Sequence, residues 1–428
     1  MNILNLFWCI VILATMTCCN RYKKAEDALS LVHVQLVDRN GFNETISAQD
    51  RLQQYQHANF LEPQPYKKVV RVFKKNQEGK TASALTSYHD SGGIFQYLET
   101  VNGRAHGIYK EWYPSGKLKL EAKVIEGIGD LSMECINTWV FDGRASIYSE
   151  SGNIEAEFFY EKGSLVNEGK IFYADGKIKK ITPYKKNLEH GKQIEYAPTG
   201  DVVCTTTYHE GKKQGPLEFF GFGKRPYFHE VYQDNLLMEG TYHDLDSQIL
   251  STVEQGCGVK SYFCDAGLFM QAQIQGGKEE GLIQEFFPES RQIKSEYTLQ
   301  NGQKHGDETI FYCSNTPHQK TPKICITWQE GLMQGKVKTW YPNGQLESER
   351  EFHHNKKNGP SSAFYSSGQL MLLEEYENDL LTEGYYWKKG DLHEVSQIHQ
   401  GNGVATLYDG EGIFLKKVPY KKGEPLDE

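Results

Sequence analysis

Six cysteines beyond residue 20, one pair of adjacent histidines and a Glu-Gly-Lys-Thr stretch are where this chain could do chemistry. Cys313 and Cys325 flank an insertion, and the strands on either side of it would be hairpin partners. A disulfide there would close a loop of about 13 residues, a constraint credited with about 3 kcal/mol. Cys257 and Cys264 fall within one stretch, while Cys135 and Cys204 have no obvious mates. An even number of cysteines in an exported chain permits disulfides without proving them; in a reducing compartment they would be small buried hydrophobes. His353-His354 could seed a metal site, but adjacent residues on a strand point to opposite faces and would not share one ion. Glu78-Gly79-Lys80-Thr81 has the look of the end of a phosphate loop, yet Lys74 stands where the first Gly should be, and turn chemistry accounts for Gly79. No Gly-x-Ser-x-Gly, His-Glu-x-x-His or Cys-x-x-Cys occurs. No catalytic residue, metal site or cofactor is expected.

The start of the chain carries a different chemistry. Residues 3–17 are mostly apolar and are followed by Cys18, Cys19, Arg21, Lys23 and Lys24. The run is short for a membrane span and fits a signal-peptide core over residues 1–19. A cysteine after small residues resembles a bacterial lipoprotein processing site, where Cys18 or Cys19 would be acylated and become the mature N-terminus. Thr15-Met16-Thr17 stands where Leu-Ala-Gly is typical, so an ordinary cleaved signal and an uncleaved anchor stay open beside it. All three place the body outside the cytoplasm or on a membrane, with a bacterial cell envelope as the expected location.

The elements that would position any such group are repeats. Gly, four residues, an aromatic, three residues, Gly, one residue and an apolar side chain recur seven times. The aromatic position holds Trp112, Tyr148, Tyr196, Phe263, Trp340, Phe364 and Tyr408. With aromatics at 12% of the composition, seven from seven lies far outside chance. Looser copies between these bring the total to about fourteen units with a step of about 24 residues, enough for two strands and two turns. Pro114–Gly116, Pro198–Gly200 and Pro342–Gly344 place Pro early in a turn and Gly where φ must be positive. After the second Gly, offsets +2 and +8 share one strand face, and +5 lies on the other, where Glu121, Glu157 and Glu349 sit. The pattern predicts an all-β fold over 69–428: an elongated antiparallel β-hairpin repeat array, with aromatics stacked unit against unit on one face and the other face wet.

With these residues in view, the chain resembles the MORN-repeat variant family. Lys-Thr-Trp-Tyr-Pro-Asn-Gly-Gln-Leu at 338–346 is the best copy, and His106-Gly107 and His305-Gly306 match the family's entry dipeptide. The resemblance covers roughly 83–428 and departs at the short units 240–257 and 384–402. It implies a hairpin array with a scaffolding role; some bacterial members are labelled antitoxins.

Residues 20–68 differ from the array. The reading is a small α+β cap: a strand over 29–37, a turn at Asn40-Gly41, and a helix from a Ser47 cap through Asn59 with Asp50 at its third position. Pro63 and Pro65 then lead into a strand from Val69. Such a segment would cover the open edge of the first repeat. Two insertions break the period, near 125–138 and 314–323, and the second holds His318, Lys320 and Lys323 as a candidate binding loop.

Net charge is −9, which argues against nucleic acid and against anionic lipid as partners. The expected function is a non-catalytic, monomeric scaffold that binds another envelope protein, with the membrane reached through the lipid anchor. The competing readings are a glycan or cell-wall module using the aromatic rows and an antitoxin-like inhibitor.

Overall fold

A computed structural model describes residues 30–223, 225–314 and 320–426. These fall into two compact units: the described residues up to Val202 with Thr207–Lys212, and Val203–Thr206 with the chain from Lys213 onward. Each is an antiparallel meander. In the first, Lys68–Phe73, Ala82–Tyr88, Ile94–Val101, Arg104–Trp112 and Leu118–Glu126 pair in that order. In the second, Leu332–Trp340, Leu346–His353, Lys356–Phe364, Leu370–Glu377 and Leu380–Trp387 do the same. The all-β hairpin array read from the spacing is the fold. Cys18 and Cys19 lie outside the described residues.

Two turn types alternate. At the first, the Tyr341 N–H donates to the Gln345 carbonyl (2.9 Å) and the Gly344 N–H to the Tyr341 carbonyl (2.8 Å). Gly344 has φ +85°, the left-handed residue that completes a three-residue hairpin loop beginning at Pro342. The register slips between Thr339 and Trp340, a bulge that sharpens the twist before the turn.

The second type has two residues with positive φ, as in Lys186-Asn187 (52°, 70°), His354-Asn355 (51°, 69°) and Asn378-Asp379 (48°, 72°). That is the primed turn whose twist matches its strands, and Asn and Asp tolerate it best after Gly. These turns also hook onto the preceding hairpin. The Asn187 N–H donates to the Leu165 carbonyl at 3.0 Å, while the Leu165 N–H returns to Asn187 Oδ1 at 2.6 Å. Asn355 with Met333 repeats it at 3.1 and 2.7 Å, and Asp379 with Lys357 at 2.9 and 2.8 Å. The unit length is therefore written into hydrogen bonds along the turn edge.

The expected aromatic ladder needs correcting. All seven of its rings are half-buried rather than sealed between units. The tyrosine that follows the ladder position makes the connection instead. Tyr341 donates its hydroxyl to the Phe364 carbonyl (2.8 Å), Tyr365 to that of Trp387 (2.6 Å) and Tyr312 to that of Trp340 (2.7 Å). In the first unit, Tyr113 serves Tyr148 (2.9 Å) and Tyr173 serves Tyr196 (2.7 Å). A carbonyl at a strand end still needs a donor, and a phenol reaching over from the neighbouring hairpin supplies one. Trp340→Ala should thus cost less than the about 3–5 kcal/mol of a sealed ring. Tyr341→Phe, which strips a donor from the Phe364 carbonyl, should cost about 1–3 kcal/mol. Urea midpoints of the two variants give the comparison directly.

The face carrying Glu121, Glu157 and Glu349 is charged, with cross-strand pairs to Lys110 (3.4 Å), Arg144 and Lys338 (3.0 Å). These pairs are half-exposed, and pairs at the surface contribute about 0–1 kcal/mol each.

The N-terminal segment covers the first array strand. Leu31–Val37 pairs with both Asn43–Ile46 and Lys68–Phe73, and Val34, Ile46, Leu52, Phe60, Val69 and Tyr88 share one core. The helix is shorter than expected, Gln49–Gln56, and starts after Ala48 with no side-chain cap. Ser47 does not cap it, because the strand runs to the buried Ile46 and leaves the next two residues to turn the chain.

Candidate functional site

Two places could carry function: the surface around the first insertion, and a buried polar cluster in the second unit. The first insertion does not hang free. It forms a single helical turn, Met133–Ile136, and buries Leu131 and Trp139 against Leu98, Tyr109 and Val124. The Trp139 ring meets Tyr109 edge-on at 4.8 Å, and its Nε1–H donates to the Ile128 carbonyl at 2.8 Å. Asp130 closes the far side on Lys68 at 2.7 Å. Burial raises the Asp130 carboxyl, but Lys68 and the Leu131 and Ser132 backbone outweigh it and hold that carboxyl below its ordinary value.

Where the insertion leaves its strand, a groove of about 430 Å³ opens against the turn at 76–80. Strand register sets its floor, because Ala82 pairs with Val101 and Val101 with Arg104. Ile125 adds an apolar wall, and Glu78, Lys80, His106 and Glu126 ring it with polar groups. The Glu-Gly-Lys-Thr stretch is one wall and is a turn: Asn76 Oδ1 accepts from the N–H groups of Glu78 (3.0 Å) and Lys80 (2.9 Å). Lys80 is spent on Glu78 at 2.8 Å, and the pair raises the lysine and lowers the carboxylate. His106 Nδ1 sits 3.0 Å from the Ile125 carbonyl. Among the described residues, the Arg104 guanidinium has no carboxylate within ion-pair distance. An apolar floor with one uncommitted guanidinium suits an acidic group carried next to an apolar anchor.

The second insertion does not assemble the predicted site. His318 lies outside the described residues. Lys320 lies over the Phe311 ring (5.5 Å) and near Glu296 (3.5 Å), and Lys323 over Tyr312 (5.7 Å). Both lysines are held by the sheet. The stem is clamped, with Gln292 Nε2 donating to the Ser314 carbonyl (2.7 Å) and the Ser314 N–H to Gln292 Oε1 (3.0 Å). The Cys313–Cys325 disulfide is not made; both thiols are free. Register is the reason. Cys325 stands opposite Thr309, four residues from Cys313, or about 13 Å along the strand, whereas a bridge needs Cα atoms within about 7 Å.

The buried cluster has no counterpart in the sequence reading. Glu230, 2% exposed, accepts from Tyr232 Oη (2.7 Å), Tyr242 Oη (2.7 Å) and Lys260 Nζ (2.8 Å). Lys260 also donates to Tyr232 Oη (3.0 Å) and lies over the Tyr262 ring (4.8 Å). Burial alone would raise the Glu230 carboxyl, but Lys260 and the two phenols overcome it and hold it below the usual range. Burial, then the Glu230 charge, pushes both phenols well above theirs. Tyr242 can lie flat here because a Cβ on Gly240 would sit 2.8 Å from its hydroxyl. The arrangement returns at Glu374, which accepts from Tyr376 (3.1 Å) and Tyr386 (2.8 Å) beside Gly384, but Ala405 stands where the first cluster has Lys260. The recurring Glu-x-Tyr before Gly-x-Tyr was the available signal. The Glu230 charge is answered within the cluster, by one ammonium and two phenols.

The comparisons with known proteins are these. The MORN repeat variant matches at 105–124, 141–162, 165–186 and 333–354. No curated protein matches the chain. Among solved structures it is similar to the crystal structure of TcdB2-TccC3 without the hypervariable C-terminal region, at 10% identity over 93% of this chain and 24% of that one, with a TM-score of 0.14. TcdB2-TccC3-TEV is similar at 10% identity over 94% and 25%, with a TM-score of 0.13. The chain spans about a quarter of the length of these solved chains.

Proposed function

We propose, on the premise that four segments of this chain match the MORN repeat variant, that it is a non-catalytic scaffold which binds another protein through the groove beside its first insertion. The observation carrying this reading is the pairing of the uncommitted Arg104 with an apolar floor in a groove walled by a braced turn and a packed insertion. Repeat arrays of this kind offer rigid, extended surfaces to partners. The partner would bring a carboxylate next to an apolar side chain.

Sugar stacking would have to use the half-buried ladder rings, because lysines lie over the tyrosines beside them: Lys119 over Tyr113 (5.9 Å), Lys179 over Tyr173 (5.7 Å) and Lys323 over Tyr312. The antitoxin-like reading has no residue to rest on.

We place the protein at a bacterial cell envelope, held by a lipid on Cys18 or Cys19. Mass analysis should then find a mature chain beginning at one of them and carrying a diacylglyceryl group; a retained Met1 contradicts the placement.

For the groove, capture from envelope extract by the intact protein is compared with capture by Arg104→Glu and by a deletion of residues 314–323. Arg104 is exposed, so its reversal should leave the fold alone. The expected result is at least about a tenfold loss of capture for Arg104→Glu, in line with a lost charge-assisted contact, and little change for the deletion. Loss on deletion alone would move the binding surface to the second insertion.

A further inference from the structure

We propose that His353 and His354 form a two-nitrogen chelate for a tetragonal divalent cation of the cupric or nickel kind. Neighbours on a strand would point apart, but only His353 is on the strand, as the last residue of Leu346–His353. His354 is the first turn residue, at φ +51°, and the left-handed conformation swings its side chain back beside the first. The two Nδ1 atoms lie 3.0 Å apart, with ring centroids at 4.2 Å and planes at 77°. Both residues are exposed.

That separation is informative. Nitrogens bound at about 2.0–2.1 Å lie about 2.9 Å apart across a right angle, but about 3.4 Å apart across a tetrahedral one. The observed distance fits a cis edge of a square or octahedral site, the geometry that copper(II) and nickel(II) favour with nitrogen and oxygen ligands. Water would fill the remaining positions. On chelation the ring that donates through Nδ1–H gives up that proton and takes one from water at Nε2, so both imidazoles stay neutral, both Nδ1 lone pairs face the ion, and no net proton is released.

The turn is also held in advance. The His354 N–H donates to Gln334 Oε1 (3.1 Å), and Asn355 is tied by two bonds to Met333. Little chain ordering is left for the ion to impose. The other histidine contacts lack this convergence. His190 and His209 rings are 4.8 Å apart, with His190 Nδ1 facing the Glu210 N–H at 3.4 Å, and His399 Nδ1 is engaged by Glu383 at 3.0 Å. Among the described residues no group of three or more metal-ligating side chains exists to compete.

The test is titration of the intact protein with Cu²⁺, read by calorimetry and by nitrogen hyperfine splitting in electron paramagnetic resonance. His354→Asn keeps a residue suited to the left-handed turn, and His353→Gln keeps an exposed polar strand end, so both variants should fold. One tight equivalent with a two-nitrogen pattern is expected, and either variant should weaken it about 100-fold, the usual loss when a second tethered ligand is removed. A tight equivalent that survives in either variant, or a loss of only about twofold, overturns the chelate, because independent rings would each keep their own ion.

Discussion

Replacing Lys260 with methionine should destabilise the second unit by about 3–5 kcal/mol, because it leaves the Glu230 carboxylate buried without its counter-charge. The two phenols that remain on Glu230 cannot replace a full positive charge. Glu230→Gln with Lys260→Met should recover most of the loss, since removing both partners removes the unpaired charge. The dependence on pH has a defined sign. Folding lowers the Glu230 carboxyl below its ordinary value near 4.5. Its contribution is present above that value and is lost as pH falls through the lower folded one. In Lys260→Met the carboxyl is buried without the ammonium and takes up its proton sooner, so the gap to the parent should narrow between about pH 7 and pH 4. Urea midpoints of parent, single and double variants across that range decide it. A single variant within about 1 kcal/mol of the parent at pH 7 would show that water enters the cluster.

Trp139→Ala should be comparably severe, at about 3–5 kcal/mol, because the ring is buried against Tyr109 and anchors the whole first insertion. The same change takes the donor from the Ile128 carbonyl. A protease should then cut within 125–138 where it spares the parent, as the released segment opens locally. Met133→Ala on the exposed side of the same insertion should stay within about 0.5 kcal/mol of the parent. If Trp139→Ala proved equally mild, the insertion would be an appendage and not part of the core, and the groove it walls would lose its rigidity. Binding through Arg104 would then be in doubt along with it.

The hairpin array was legible because its signals are local. A Pro-Asn-Gly turn needs a left-handed third residue whatever surrounds it, and Gly344 at φ +85° meets that need. Alternation along the strand put Glu349 on the charged face for an equally local reason, the two-residue period of the pleat. The burial of the ladder rings is not legible in the sequence, because repetition reports equivalent positions and not how deeply they are buried. Trp340 recurs, yet Tyr341 beside it makes the contact between units.

What the amino-acid order determined on its own was the unit: its length, its turn types and which residues alternate. What the tertiary structure alone decided was every contact that joins one unit to another or folds an insertion onto the sheet. Register separated Cys313 from Cys325 although both border one loop. A left-handed turn brought His353 and His354 together where strand geometry would have parted them. Glu230 and Lys260 met across strands although nothing between them in the chain marks them as partners. The physical reason is the same in each case. Backbone preferences act over a few residues, whereas ion pairs and buried rings are set by side chains that meet only after the strands have paired.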